Sequence, residues 1–130
     1  MELEIEKAIM NANLGFNPMN NGESIIINKN SYGVVTSRSH IDEETLSYID
    51  KLKKTRSNVK SVPVGSSLKF CLLAEGTADC YPRFSPCMEW DTAAGQIICN
   101  EAGFKLIDQT TKTQMLYNRQ NLLNNSFIVK

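Results

Sequence analysis

A chain of 130 residues, 42% hydrophobic and 22% charged, has the length and balance of one globular domain with its own core. Its 14 basic and 14 acidic side chains cancel to a formal net charge of +0, so no overall field draws it to nucleic acid or to an acidic membrane surface. No apolar run approaches the ~20 residues of a bilayer span, and the N-terminal MELEIEKAIMNAN is acidic and amphipathic, unlike a secretory signal, which places the chain in the cytoplasm.

In chain order, residues 2–13 carry apolar side chains at three- and four-residue spacing and predict a helix, with Gly15 as its stop. The NPMNNG run over 17–22 is a turn signal that leads into a strand over 24–28, centred on Ile25, Ile26 and Ile27, and GVVTS over 33–37 predicts a second strand. Asp42 is placed to cap a helix running to about Lys54, with Glu43 and Glu44 at its positive end, Lys51, Lys53 and Lys54 at its negative end, and Leu46, Ile49 and Leu52 along one side.

A short strand over 61–64 precedes Gly65 and the apolar run SSLKFCLLAEG, read as a helix stopped by Gly76. Residues 78–83 predict a strand. Glu89 or Asp91 begins another helix, expected to bury Ala94, Ile97, Ile98 and Ala102 and to end at Gly103. Strands over 104–107 and 127–129 close the chain. Strands and helices thus alternate without linker or repeat, which predicts a layered α/β fold, and in such sheets ligands gather beyond strand ends, near helix N-termini.

The four cysteines, Cys71, Cys80, Cys87 and Cys99, form no C-x-x-C pair and have no histidine cluster beside them, which argues against a zinc ribbon. They are read as free thiols in a reducing compartment, with Cys71 and Cys99 on apolar helical faces.

Chemistry concentrates at two helix starts. Gly65-Ser66-Ser67 and Asp91-Thr92 each leave backbone N–H groups that suit an anion. Lys69, one turn on, reaches a phosphate as a point charge, and Arg83 at a strand end grips phosphate oxygens as a fork. Ser66 and Asp91 also read simply as helix caps, and His40 as a surface or helix-entry histidine. A capping carboxylate at Asp91 suits Mg²⁺ as well, but one carboxylate does not hold a catalytic metal alone.

The segments GSSLKFCL from Gly65, Ala74-Glu75-Gly76, Tyr81-Pro82-Arg83 and WDTAAG from Trp90, with Ser37-Arg38-Ser39-His40 upstream, together resemble the C-terminal half of the bacterial 3'(2'),5'-bisphosphate nucleotidases of the CysQ type, in the inositol monophosphatase superfamily. The resemblance begins near Ser24, its motifs keep the family's order, and it divides the chain into residues 1–20, an N-terminal helix and turn that match poorly, and 21–130, the C-terminal α/β part.

This resemblance implies a lithium-sensitive, Mg²⁺-dependent phosphatase that removes the 3'-phosphate of 3'-phosphoadenosine 5'-phosphate to give AMP in sulfate assimilation. Asp91 then resembles the family's C-terminal metal ligand, and His40, Ser66, Lys69 and Arg83 resemble its nucleotide and phosphate contacts. True inositol monophosphatases usually carry a glutamate at the position of Arg83, so the arginine favours a substrate with a second phosphate over an inositol phosphate.

The remaining metal ligands of the family come from an upstream glutamate and a D-P-x-D-G-T motif, and this sequence has no Asp-Pro dipeptide. The chain is therefore expected to be nearly inactive alone, with an incomplete Mg²⁺ site, and either to await an N-terminal half or to self-associate. A non-catalytic nucleotide-binding or assembly module on the same fold is the alternative, and an inositol monophosphatase fragment a weaker one.

Overall fold

The computed structural model describes residues 30–39, 41–65 and 67–130, with the backbone alone at 19–20 and 23–24. The helix expected over 2–13 and the Ile25–Ile27 core of the second segment lie outside the described residues. Strand β1 (Met19–Asn20) falls within the expected turn run and pairs antiparallel with β2 (Glu23–Ser24).

Strand β3 (Tyr32–Ser37) runs parallel to β4 (Val59–Val64), and helix α1 (Glu43–Thr55) makes the crossover between them. Asp42 caps α1 as expected, its carboxylate accepting the Thr45 N–H at 2.7 Å, with Glu43 and Glu44 in the first turn and Lys53 and Lys54 in the last. The buried face differs from expectation. Thr45, Ile49 and half-buried Leu52 face the sheet, and Leu46 is 49% exposed, because a spacing of four and then three residues keeps the stripe one position behind Leu46.

A parallel bridge between Val34 and Cys80, with hydrogen bonds from Val35 N to Cys80 O and from Asp79 N to Gly33 O, brings β5 (Tyr81–Arg83) alongside β3. Two antiparallel strands complete the sheet beyond it: β9 (Phe127–Val129) pairs with β5, and β7 (Leu106–Asp108) pairs with β9. The spatial order is β4-β3-β5-β9-β7. A separate antiparallel pair, β6 (Cys87–Met88) with β8 (Leu123–Asn124), sits beside the sheet and was not expected from the sequence.

Alternation along the strands sorts side chains to the two faces of the sheet. Val34, Cys80 and Ile128 meet Ile49 of α1 on one face. On the other, Val35, Tyr81, Phe127 and Val129 join Phe70, Leu72 and Leu73 of helix α2 (Leu68–Ala74) and Cys99 of helix α3 (Ala93–Glu101) in the larger cluster. The result is an α/β/α layering, as the alternating pattern predicts. All four cysteines are buried, and no disulfide joins them among the described residues.

Helix α2 is shorter than the sequence suggested, beginning at Leu68 with no side-chain cap from Ser67. A 3-10 turn over Glu89–Asp91 precedes α3, which starts at Ala93. The expected stripe on α3 is corrected: Ile97 is 63% exposed and Ala94 and Ala102 are also exposed, while Gln96, Ile98 and Cys99 are buried. The helix turns this way because Gly95 lets it approach α2 closely, which carries the neighbouring Gln96 and Cys99 inward.

Candidate functional site

Lys69 and Arg83, assigned separately from the sequence, line one small open cleft, about 30 Å³ in volume, with Tyr81, Ser37 and Thr45. The fold explains the meeting. Ser37 ends β3 and Arg83 ends the neighbouring β5, so both lie at the same sheet end, and α2 on the larger-core face delivers Lys69 from its first turn.

Arg83 is collared by three acceptors. Its Nε donates to Ser85 O at 3.4 Å, Nη1 to the Tyr81 hydroxyl at 3.4 Å and Nη2 to Pro86 O at 3.3 Å. A guanidinium has five N–H donors, so each terminal nitrogen keeps one that can meet an anion. Lys69 is only 4% exposed, and its Nζ lies 5.5 Å from the centroid of the Tyr81 ring. Burial and the nearby Arg83 charge both hold the Lys69 ammonium below its ordinary pKa. Two cations held this close favour an anionic occupant.

Asp91 comes close enough for its charge to act on Tyr81 and Arg83. It is not the cap of α3. It closes the 3-10 turn, where its Oδ2 accepts the Met88 N–H at 2.8 Å, and its exposed position leaves Oδ1 without a hydrogen bond among the described residues. The N-cap of α3 is Thr92, which makes no side-chain cap bond. His40 and Ser66 lie outside the described residues.

The expectation of two anion-binding helix starts is therefore narrowed. α2 spans seven residues and does not constitute such a site, and Asp91 stands before α3 rather than in its first turn. Among the described residues, no three Asp, Glu, His or Cys side chains gather to hold a metal ion. Asp91 fits one oxygen ligand of a hard cation, but the described residues do not by themselves fit a Mg²⁺ site.

Behind Asp91 lies a buried polar network that the sequence did not disclose. Asn124 Nδ2 donates to Met88 O and to Thr92 Oγ1, each at 2.9 Å, and Arg119 Nη2 donates to Asn124 Oδ1 at 2.9 Å. Glu89 accepts the Asn118 N–H at 3.0 Å and both the Arg119 N–H and Nε at 3.1 Å. The Tyr117 hydroxyl donates to Gln96 Oε1 and lies 3.1 Å from Thr92 Oγ1. These bonds tie the loop before β8 to both ends of the 3-10 turn, so the backbone presenting Asp91 is fixed from behind. Glu89 and Thr92 flank Asp91 in the sequence, but their partners are about 30 residues away, beyond the reach of any local motif.

The profile of the inositol monophosphatase family matches residues 7–129. The 3'(2'),5'-bisphosphate nucleotidase CysQ of Salmonella typhimurium is 46% identical over 96 residues, which are 74% of this chain and 37% of that protein. The crystal structure of CysQ from Bacteroides thetaiotaomicron, described as a bacterial member of the inositol monophosphatase family, superposes with a TM-score of 0.75 at 45% identity, covering 83% of this chain and 41% of that one. An inositol monophosphatase from Staphylococcus aureus shares the fold with a TM-score of 0.56 at 14% identity, covering 88% of this chain and 39% of that one. The chain thus spans about two fifths of the length of these proteins.

Proposed function

The chain belongs to the inositol monophosphatase family as a CysQ-type member, and we propose that it is the nucleotide-holding part of a 3'(2'),5'-bisphosphate nucleotidase. The observation that carries this reading is the convergence of Lys69 and Arg83 in one cleft at the sheet end, with Asp91 beside them. Lys69 neutralises one phosphate group as a compact charge. Arg83 offers its two remaining terminal N–H donors to another, in the planar arrangement that a phosphate accepts.

The substrate of the complete fold is 3'-phosphoadenosine 5'-phosphate, and the product is AMP. Mg²⁺ is the proposed ion of that complete fold, where it supplies charge neutralisation, and Asp91 contributes a single carboxylate toward it. Within this chain Lys69 and Arg83 bind and orient the ligand, and the Glu89 and Asn124 contacts keep Asp91 in place. A cytoplasmic location and a place in sulfate assimilation belong to the same proposal, the first supported by four buried cysteines with no disulfide among the described residues.

A second reading, a module that binds the nucleotide without turning it over, is favoured by the lack of a three-ligand cluster among the described residues. Phosphate release from 3'-phosphoadenosine 5'-phosphate with Mg²⁺, compared between the chain and Asp91→Asn, tests the catalytic part. The expected result is negligible turnover in both. Robust release that the substitution abolishes would show that the chain is a complete enzyme.

A further inference from the structure

We propose that Tyr81 is a positioning residue: its hydroxyl and ring hold the Arg83 guanidinium and the Lys69 ammonium as a fixed pair, which favours ligands with two phosphate groups over those with one. The inference rests on the nucleotide-holding reading above and adds to it the residue that sets the spacing of the two cations.

Tyr81 is 3% exposed, and its ring meets Phe70 edge-on at 5.2 Å and Phe127 edge-on at 5.5 Å. Such ring contacts resist rotation of the side chain, so the hydroxyl at its tip is a rigid reference point. Of the three acceptors around Arg83, the other two are carbonyls of exposed Ser85 and Pro86. Among the described residues, Tyr81 alone connects the guanidinium to the packed core. The same ring lies near Lys69, so a single side chain contacts both cations from opposite elements, α2 and β5.

A pair of like charges would otherwise separate. Without the Tyr81 hydroxyl, Arg83 keeps only the exposed Ser85 and Pro86 carbonyls among the described residues and can swing toward solvent, and a pair with one mobile member meets one phosphate about as well as two. A fixed pair has its ordering cost met before the ligand arrives, and a ligand that satisfies both cations benefits most.

The test compares the full chain with Tyr81→Phe, which removes the hydroxyl and keeps both ring contacts, so the fold should be retained, as a thermal melt would verify. The first readout needs no ligand: the ¹H–¹⁵N signal of the Arg83 Nε–H. Faster hydrogen exchange and greater mobility in Tyr81→Phe are expected, and an unchanged signal would overturn the positioning role. Calorimetry is the second readout. The preference for 3'-phosphoadenosine 5'-phosphate over AMP should fall about tenfold in the variant, the size of one charge-assisted hydrogen bond. An equal loss for both nucleotides would overturn the selectivity. A wild-type chain that binds neither nucleotide would refute the nucleotide reading together with the selectivity, while the Arg83 signal would still decide whether Tyr81 positions the guanidinium.

Discussion

Gly95 of α3 lies so close to Phe70 of α2 that a Cβ at position 95 would stand 2.4 Å from the Cγ atom of the phenylalanine ring. The last residue of WDTAAG is therefore a packing requirement. It sets the distance between the helix that follows Asp91 and the helix that carries Lys69, and so relates the two sides of the candidate site.

Gly95→Ala should destabilise the chain by about 1–3 kcal/mol, the usual range for overpacking a core. Alanine gains up to about 1 kcal/mol of helix propensity over glycine, too little to offset a ring that is itself packed against Tyr81 and Phe127. Urea denaturation measures the difference. Equal or higher stability in the variant would mean that the two helices can separate at no cost.

Glu89 should make stability depend on pH on the acid side. Burial acts to raise its pKa, but the backbone donors of Arg119 and Asn118 and the Arg119 guanidinium outweigh that and hold it below the ordinary value of 4.5. The contribution is present above that value and is lost as pH falls through the lowered folded pKa. Glu89→Gln should lower the Tm by a few degrees at neutral pH, with the gap closing in acid. Matching melting curves at neutral pH would remove this clamp from the account.

Glu75 should act in the opposite sense. Burial pushes its carboxyl up to about 7, opposed only in part by the Thr77 hydroxyl that donates to it at 2.7 Å. The folded chain keeps a proton that the unfolded chain releases near 4.5, so stability falls as pH rises from 4.5 to about 7. Glu75→Gln should flatten that decline and raise the Tm on the alkaline side. A wild-type melting profile that is level through this window would contradict the assignment.

Trp90 is 67% exposed, Ile97 63% and Leu116 71%, and all three belong to α3, the turn before it or the loop bonded to it. Exposed apolar side chains favour association, and we propose a second copy of the chain as the partner. Light scattering should show mass rising with concentration, and Trp90→Ser with Ile97→Ser should suppress the rise. A wild-type monomer over a broad concentration range would count against it.

Much of this fold was legible because local chemistry and tertiary demand agree. Asp42 followed by two glutamates and a lysine-rich end defined α1, and β-branched runs defined β3 and β4. The register of α3 was not legible. Ile97 and Ala94 look like core residues by composition, and the close approach of Gly95 to Phe70, with the bonds of Gln96 to Met115 O and the Tyr117 hydroxyl, turns Gln96 inward. Strands β6 and β8 escaped notice because each has two residues and is defined by its partner. At the site, Lys69, Arg83 and Asp91 were named from their motifs, and the structure brings the two cations into one cleft. Tyr81 was legible only as part of a strand and of the Tyr81-Pro82-Arg83 motif, since its role depends on the ring packing around it. The Glu89–Arg119–Asn124 network was missed because its partners are distant in sequence.

The central claim is that Lys69 and Arg83 hold a nucleotide with two phosphate groups. Calorimetry of the chain with 3'-phosphoadenosine 5'-phosphate, repeated with Arg83→Leu, tests it most directly. The account predicts measurable binding that is stronger than for AMP and falls by about tenfold or more in the variant, as expected for loss of a charge-assisted contact. No heat of binding at millimolar nucleotide, or equal binding by both proteins, would contradict it.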